Sequence, residues 1–111
     1  MFFIKLFLIS IFISYSNQAE SNFRKWGKEE GQLNWKNAVD KCKSNNMHLP
    51  TKKELLSLYK SPERQKWEGN WYWTSDELDS QRAWAVVLNV GDTLHIPKQY
   101  HNHVRCISIT Q

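Results

Sequence analysis

Few residue groups in this chain have the types and spacing to do chemistry. Trp67, Trp71, Tyr72 and Trp73 crowd one short stretch. Flat aromatic faces stack on sugar rings and on cations, and Trp is favoured at the energetic centre of interfaces. The same rings are what a small sheet buries to make its core. On a strand, Trp71 and Trp73 share one face and Tyr72 takes the other, so at least one face is expected to be core. Trp67, beside Glu68-Gly69-Asn70, is expected to be the exposed ring. A second group is cationic. Arg24 to Lys66 holds eleven basic and five acidic residues, whereas Trp67 to Gln111 holds three and five. Lys36, Lys41, Lys43, Lys52, Lys53, Lys60, Arg64 and Lys66 can form a basic face. Such a face attracts anionic polymers such as sulfated glycans, acidic polysaccharides or lipid headgroups. Its plainer use is as a solvated helix surface. The candidate ligand-binding residues are therefore Trp67, Trp71, Trp73, Lys52, Lys53 and Lys60.

Metal and nucleophile chemistry finds less support. Asp76, Glu77, Asp79 and Asp92 offer hard oxygens of the kind calcium takes, but a solvated acidic loop explains them as well. His101 and His103 are two apart, with His95 across a hairpin; zinc needs three or four convergent ligands. No local spacing assembles a nucleophile, base and orienting acid. No enzyme, metal or cofactor is expected.

The elements that must position these residues are legible in part. Asn34 is a suitable N-cap. Trp35, Ala38, Val39 and Cys42 then recur at helical spacing, with Lys36, Asp40, Lys41 and Lys43 on the other faces. Ser44-Asn45-Asn46 ends that helix. Thr51 and Glu54 fit a capping box for a second helix, whose apolar residues are Leu55, Leu56, Leu58 and Tyr59. Pro62 stops it near Lys60. Phe23 to Trp26 reads as a short strand, Gly27 to Gly31 as a loop, and Ser61 to Asn70 as a surface loop. Trp71 to Thr74 is a strand by aromatic and β-branched content, and Ser75 to Gln81 a polar loop. Ala83 to Asn89 has few polar residues and is expected to be a central strand covered on both faces. Thr93 to Ile96 returns across a turn, and His103 to Thr110 closes the sheet. One strand, two helices and then a run of strands is an α+β order.

The first residues, MFFIKLFLISIFISYSNQAE, have one Lys in an apolar run followed by small and polar residues. That is the pattern of a secretory signal peptide over residues 1–19, cut after Ser16 or Ala19, leaving residues 20–111 as one domain. An uncleaved anchor helix is the alternative. Two cysteines, Cys42 and Cys106, follow the leader. An oxidising compartment favours a disulfide between them over two buried thiols or a metal pair. With an exported chain and no nucleic-acid motif, nucleic acid is not an expected partner.

Trp35, Ala38 and Cys42 are followed in order by Leu49-Pro50-Thr51 with Glu54-Leu55, Tyr72-Trp73-Thr74-Ser75, Ala83-Trp84-Ala85-Val86 and Val104-Arg105-Cys106. Together these resemble the C-type-lectin-like fold, and within it the bacterial family DUF1566, the Lcl C-terminal domain, over Phe23 to Ile109. The resemblance departs at Met47-His48, where family members often carry Trp-Arg. It implies two helices packed on a curled, mainly antiparallel sheet. The calcium-dependent sugar motifs of true C-type lectins, Glu-Pro-Asn or Gln-Pro-Asp with a later Trp-Asn-Asp, are absent. Formylglycine-generating enzymes share a related fold and use a cysteine pair, but both cysteines here stand at the structural positions. The combined expectation is a secreted or periplasmic, non-catalytic binding module for an anionic polysaccharide or an extracellular protein, not stably inserted in a membrane once the leader is cut. The alternative is a structural or inhibitory protein that binds one exported partner.

Overall fold

The computed structural model describes residues 24–109. The expected leader and its cleavage site lie outside these residues. The order is β1 (Arg24–Leu33), α1 (Trp35–Ser44), α2 (Lys52–Tyr59), a 3-10 helix (Pro62–Lys66), β2 (Trp71–Glu77), β3 (Arg82–Val87), β4 (Asp92–Pro97) and β5 (Asn102–Ile109). The strands form one sheet in the order β1-β5-β2-β3-β4, with β2 and β5 parallel and the other pairs antiparallel. The sheet is therefore mixed, and two helices with one five-stranded sheet make the expected α+β arrangement.

Both helices begin where their caps predict. The Asn34 side chain accepts from the Asn37 amide at 2.9 Å. Thr51 and Glu54 make both halves of the capping box, at 2.9 and 3.1 Å, so two otherwise orphaned amides are satisfied. The Leu49-Pro50 corner between the helices is buried and docks on the sheet through backbone bonds. His48 exchanges two with Ile107, and Pro50 accepts one from Ser75.

A period of two along β2 and β3 splits the core into two layers. On one face of the sheet, Trp73, Ala83, Ala85 and Val104 pack with Ala38, Cys42 and Leu49, with Trp35 and Val39 of α1 at the margin. On the other, Tyr72, Val86 and Leu88 pack with Leu55, Leu58 and Trp67. The expected double coverage of the strand from Ala83 is thus present, one helix to each face. Cys42 and Cys106 are joined, with Cα atoms 5.4 Å apart, and the bridge pins α1 to β5 inside the first layer. Two indoles reinforce it: Trp35 Nε1 donates to Thr74 O and Trp73 Nε1 to Leu33 O, each at 2.8 Å.

The stretch Gly27 to Gly31 is not the expected loop but the middle of β1. Two register shifts against β5, between Trp26 and Glu29 and between Glu29 and Gln32, absorb it as bulges. Gly31 sits at φ 91°, which a side chain would resist, and its amide donates to the Glu29 carboxylate at 3.1 Å. The acidic stretch after Ser75 also stays in β2 as far as Glu77.

The outer edge of β4 is blunted. Pro97 has no amide to offer and its carbonyl accepts from Tyr100; the Arg82 guanidinium covers the His95 carbonyl at 3.1 Å. Such capping discourages strand addition by another chain.

Candidate functional site

Helix α2 leaves its cationic side toward solvent because Leu55 and Leu58 are drawn into the second layer. Thr51, Lys52, Lys53, Leu56, Ser57 and Lys60 then line an open groove of about 750 Å³ with Asp76 from β2. The three lysines singled out in the sequence stand together here. Lys53 and Lys60 hold no ion pair among the described residues. Asp76 is engaged at the groove wall, where its carboxylate accepts from the Lys52 amide at 2.6 Å.

Lys52 extends the groove onto the sheet. Its ammonium lies 4.1 Å from the centroid of the Trp84 ring. His95 of β4 meets the same ring edge-on, with centroids 5.2 Å apart. The Arg82 guanidinium contacts His95 Nδ1 at 3.2 Å. Three elements thus place Lys52, His95 and Arg82 around one half-buried indole. Nothing local in the sequence links Trp84, His95 and Arg82 to Lys52; the β3–β4 register, which sets Trp84 opposite His95, brings the first three together.

A second polar cluster lies under the bulged β1. Tyr72 donates to Glu29 Oε1 at 2.7 Å and accepts from the Gly69 amide at 3.1 Å. His103 Nδ1 meets Glu29 Oε2 at 3.0 Å, and Arg105 Nε stands 3.9 Å from Oε1. The Arg105 guanidinium lies over the Trp67 ring, 4.7 Å from its centroid. A Cβ on residue 69 would fall 2.4 Å from the His103 ring, so this close approach needs glycine. The cluster clamps the segment before β2 onto the sheet. Burial, and then the hydrogen bond and charge of Glu29, push the Tyr72 phenol well above its ordinary value.

The sign of its pH effect follows. A folded-state value raised above the unfolded 10.0 gives stability that is fully present below that pH and is lost as pH rises beyond it. Urea midpoints at pH 8 and pH 11 are expected to differ more in the wild type than in Tyr72→Phe. That variant loses about 2 kcal/mol at pH 8, because the Gly69 amide and Glu29 lose a partner. An equal alkaline loss in both proteins would count against the assignment.

The predicted aromatic residues do not meet the lysines. Trp73 is fully buried and Trp67 is 7 % exposed. The exposed placement expected for Trp67 is therefore wrong. Trp26 and Tyr72 pack on its ring edge-on, each with centroids 4.9 Å away, and Arg105 covers it. Trp71 is 40 % exposed, but it shares the α1 face of the sheet with Trp73, opposite the layer that α2 covers.

The candidate metal ligands are likewise dispersed. Glu77 pairs with Lys98, and Asp79 accepts from the Gln81 and Arg82 amides. These two backbone bonds hold the Asp79 carboxyl below its ordinary value. His95 and His103 belong to separate clusters. Among the described residues, no three His, Cys, Asp or Glu side chains assemble a metal-holding group. Among the same residues, no helix is long and apolar enough to cross a membrane.

Among solved structures, the chain is similar to TC14, a C-type lectin from the tunicate Polyandrocarpa misakiensis. The TM-score is 0.55 at 13 % identity, over 78 % of this chain and 98 % of that one. At that identity the likeness shows the fold. No curated protein matches the sequence. The resemblance to DUF1566 is overturned, because the family model that matches is a different one. The motifs that suggested DUF1566 occupy structural places in this fold. Ala38 and Cys42 are the buried stripe of α1, Leu49-Pro50 is the docked corner, and Thr51 and Glu54 cap α2. Matched over residues 27–108, the chain belongs to the family described as Domain of unknown function (DUF8780).

Proposed function

We propose that this protein is an exported, non-catalytic binding module that recognises an anionic polysaccharide through the α2 groove. One observation carries the reading. Lys52, Lys53 and Lys60, chosen from the sequence for their charge, line a single groove. Leu56 supplies an apolar floor there, and Ser57 and Thr51 supply hydroxyl groups that suit a polyhydroxylated chain. The apolar leader in the sequence and the buried Cys42–Cys106 bridge support export, with residues 1–19 removed and 20–111 as the mature domain. The lectin-like fold supports a binding role.

The test is binding of the oxidised mature domain to immobilised heparin and to a neutral dextran across a salt series. Heparin is expected to bind and to weaken steeply between 50 mM and 500 mM NaCl, as screening shortens the reach of the lysines. The combined substitutions Lys52→Glu, Lys53→Glu and Lys60→Glu are expected to weaken it on the order of 30-fold, from three lost ion pairs and the added repulsion. Absence of heparin binding at the lowest salt would rule the reading out.

A protein partner is the second reading, and the opposite face favours it. Trp71 and Leu94, 40 % and 42 % exposed, stand there opposite Val87 and Ala85 of β3. A structural or inhibitory role would bury that face, and a stable stoichiometric complex lost in Trp71→Ala would identify it.

A further inference from the structure

We infer that Arg82 and His95, with Lys52 around Trp84, form a proton-coupled oxyanion contact at the sheet end of the groove. Protonation of His95 would tighten its hold on a sulfate or carboxylate group of the polysaccharide. The inference rests on the anionic-ligand reading above and deepens it, since neither residue lines the groove itself.

The contact between Arg82 and the His95 ring favours one tautomer. A guanidinium only donates, so at 3.2 Å from Arg82 the His95 Nδ1 must accept, and the neutral ring carries its proton on Nε2. The same guanidinium donates to the His95 carbonyl. Arg82 is therefore folded back onto β4, held by two acceptors of the same residue. Imidazole is the side chain whose charge changes between pH 5 and 8. A proton on Nδ1 places an N–H against the guanidinium N–H groups, and that contact turns repulsive. Arg82 loses its acceptor on the ring and keeps only the His95 carbonyl, which leaves the guanidinium freer to reach a ligand. The exposed His95 ring then adds its own positive charge at the indole that Lys52 also contacts.

The surrounding charges permit this response. Arg82 on β3 contacts the ring directly, and Lys52 on α2 lies across Trp84 from it. Asp76 on β2 is committed to the Lys52 amide. Asp92 stands at the far end of β4, and Lys98 beyond its other end is paired with Glu77. Asp79 accepts from the Arg82 amide, and its charge is coupled to Arg82. Among the described residues no carboxylate contacts His95, so an anionic ligand supplies the compensating charge. Binding and proton uptake are then linked, each favouring the other by the same factor.

Calorimetric titration with a fully sulfated heparin oligosaccharide at pH 7.5 and 5.5, at constant ionic strength, tests this. Sulfate does not change charge in that range. Wild type is expected to bind about fivefold more tightly at pH 5.5, the upper range for one exposed ion pair. His95→Asn keeps an acceptor for Arg82 but never charges, so its affinity should be flat with pH at the weak value. His95→Lys is always charged and should bind tightly at both pH values. His48→Gln, changed beside Glu54 instead, should keep the wild-type slope. A flat wild-type profile, or a slope kept in His95→Asn, overturns the coupling but leaves the anionic-ligand reading intact. No binding at either pH in low salt overturns both.

Discussion

Loss of the Cys42–Cys106 bridge is expected to lower the stability of the domain by about 4 kcal/mol. The bridge closes a loop of 64 residues, and the entropy it removes from the unfolded chain grows slowly with that length. Those residues include α2, the 3-10 helix and the strands β2, β3 and β4, so the bridge constrains most of the packed elements. Both cysteines are buried against Ala38, Trp73 and Val104. A Cys42→Ala, Cys106→Ala variant should therefore add a packing loss to the entropic one. In a domain of this size each kcal/mol moves the melting temperature by roughly 4–8 °C, so a fall of about 20 °C or more is expected. Thermal melts of the oxidised protein and the double variant measure it. A fall below 5 °C would mean that the two core layers hold without the link.

Trp73→Ala is expected to cost about 4 kcal/mol, whereas Trp71→Ala should cost less than about 1 kcal/mol. The two rings are neighbours on the same face of β2, yet Trp73 is fully buried and Trp71 is 40 % exposed. Removing Trp73 leaves a cavity beside the disulfide and strands the Leu33 carbonyl, which accepts from its indole at 2.8 Å. Leu33 is the last residue of β1 and Asn34 caps α1, so the damage reaches the strand-to-helix junction. Urea unfolding of both variants gives the contrast directly. Comparable losses would show that Trp71 is structural too, which would remove the exposed ring from any ligand or partner surface.

These two tryptophans show how far the sequence reaches. Period-two alternation places Trp71 and Trp73 on one face, and that is correct. It cannot say that α1 and the disulfide cover one ring and leave the next half open. Trp67 fails more plainly. Its polar neighbours suggest exposure, but Arg105, on a strand nearly forty residues later, lies across its ring. The lysines fare better, because α2 is amphipathic over a single turn or two, and its buried leucines dictate which way the charges face. The loop expected at Gly27 to Gly31 is a bulged strand because β5 offers a ladder for it to join. Such an offer is invisible from residues 27–31 alone.

The sequence by itself determined the two helices, their caps, the corner between them, the single possible cysteine pair and the α+β order of elements. Each depends on hydrogen bonds or periodicity within a few residues, or on a count of two thiols. The tertiary structure decided the rest. It turned Trp67 inward, joined Glu29 to Tyr72 and His103 across 43 and 74 residues, and set Arg82 and His95 beside Lys52 around Trp84. It also placed the lysine groove and Trp71 on opposite faces. Strand register and the choice of which helix covers which face control all of these. Both are settled by long-range burial, because a one-residue slip in pairing would exchange the two faces.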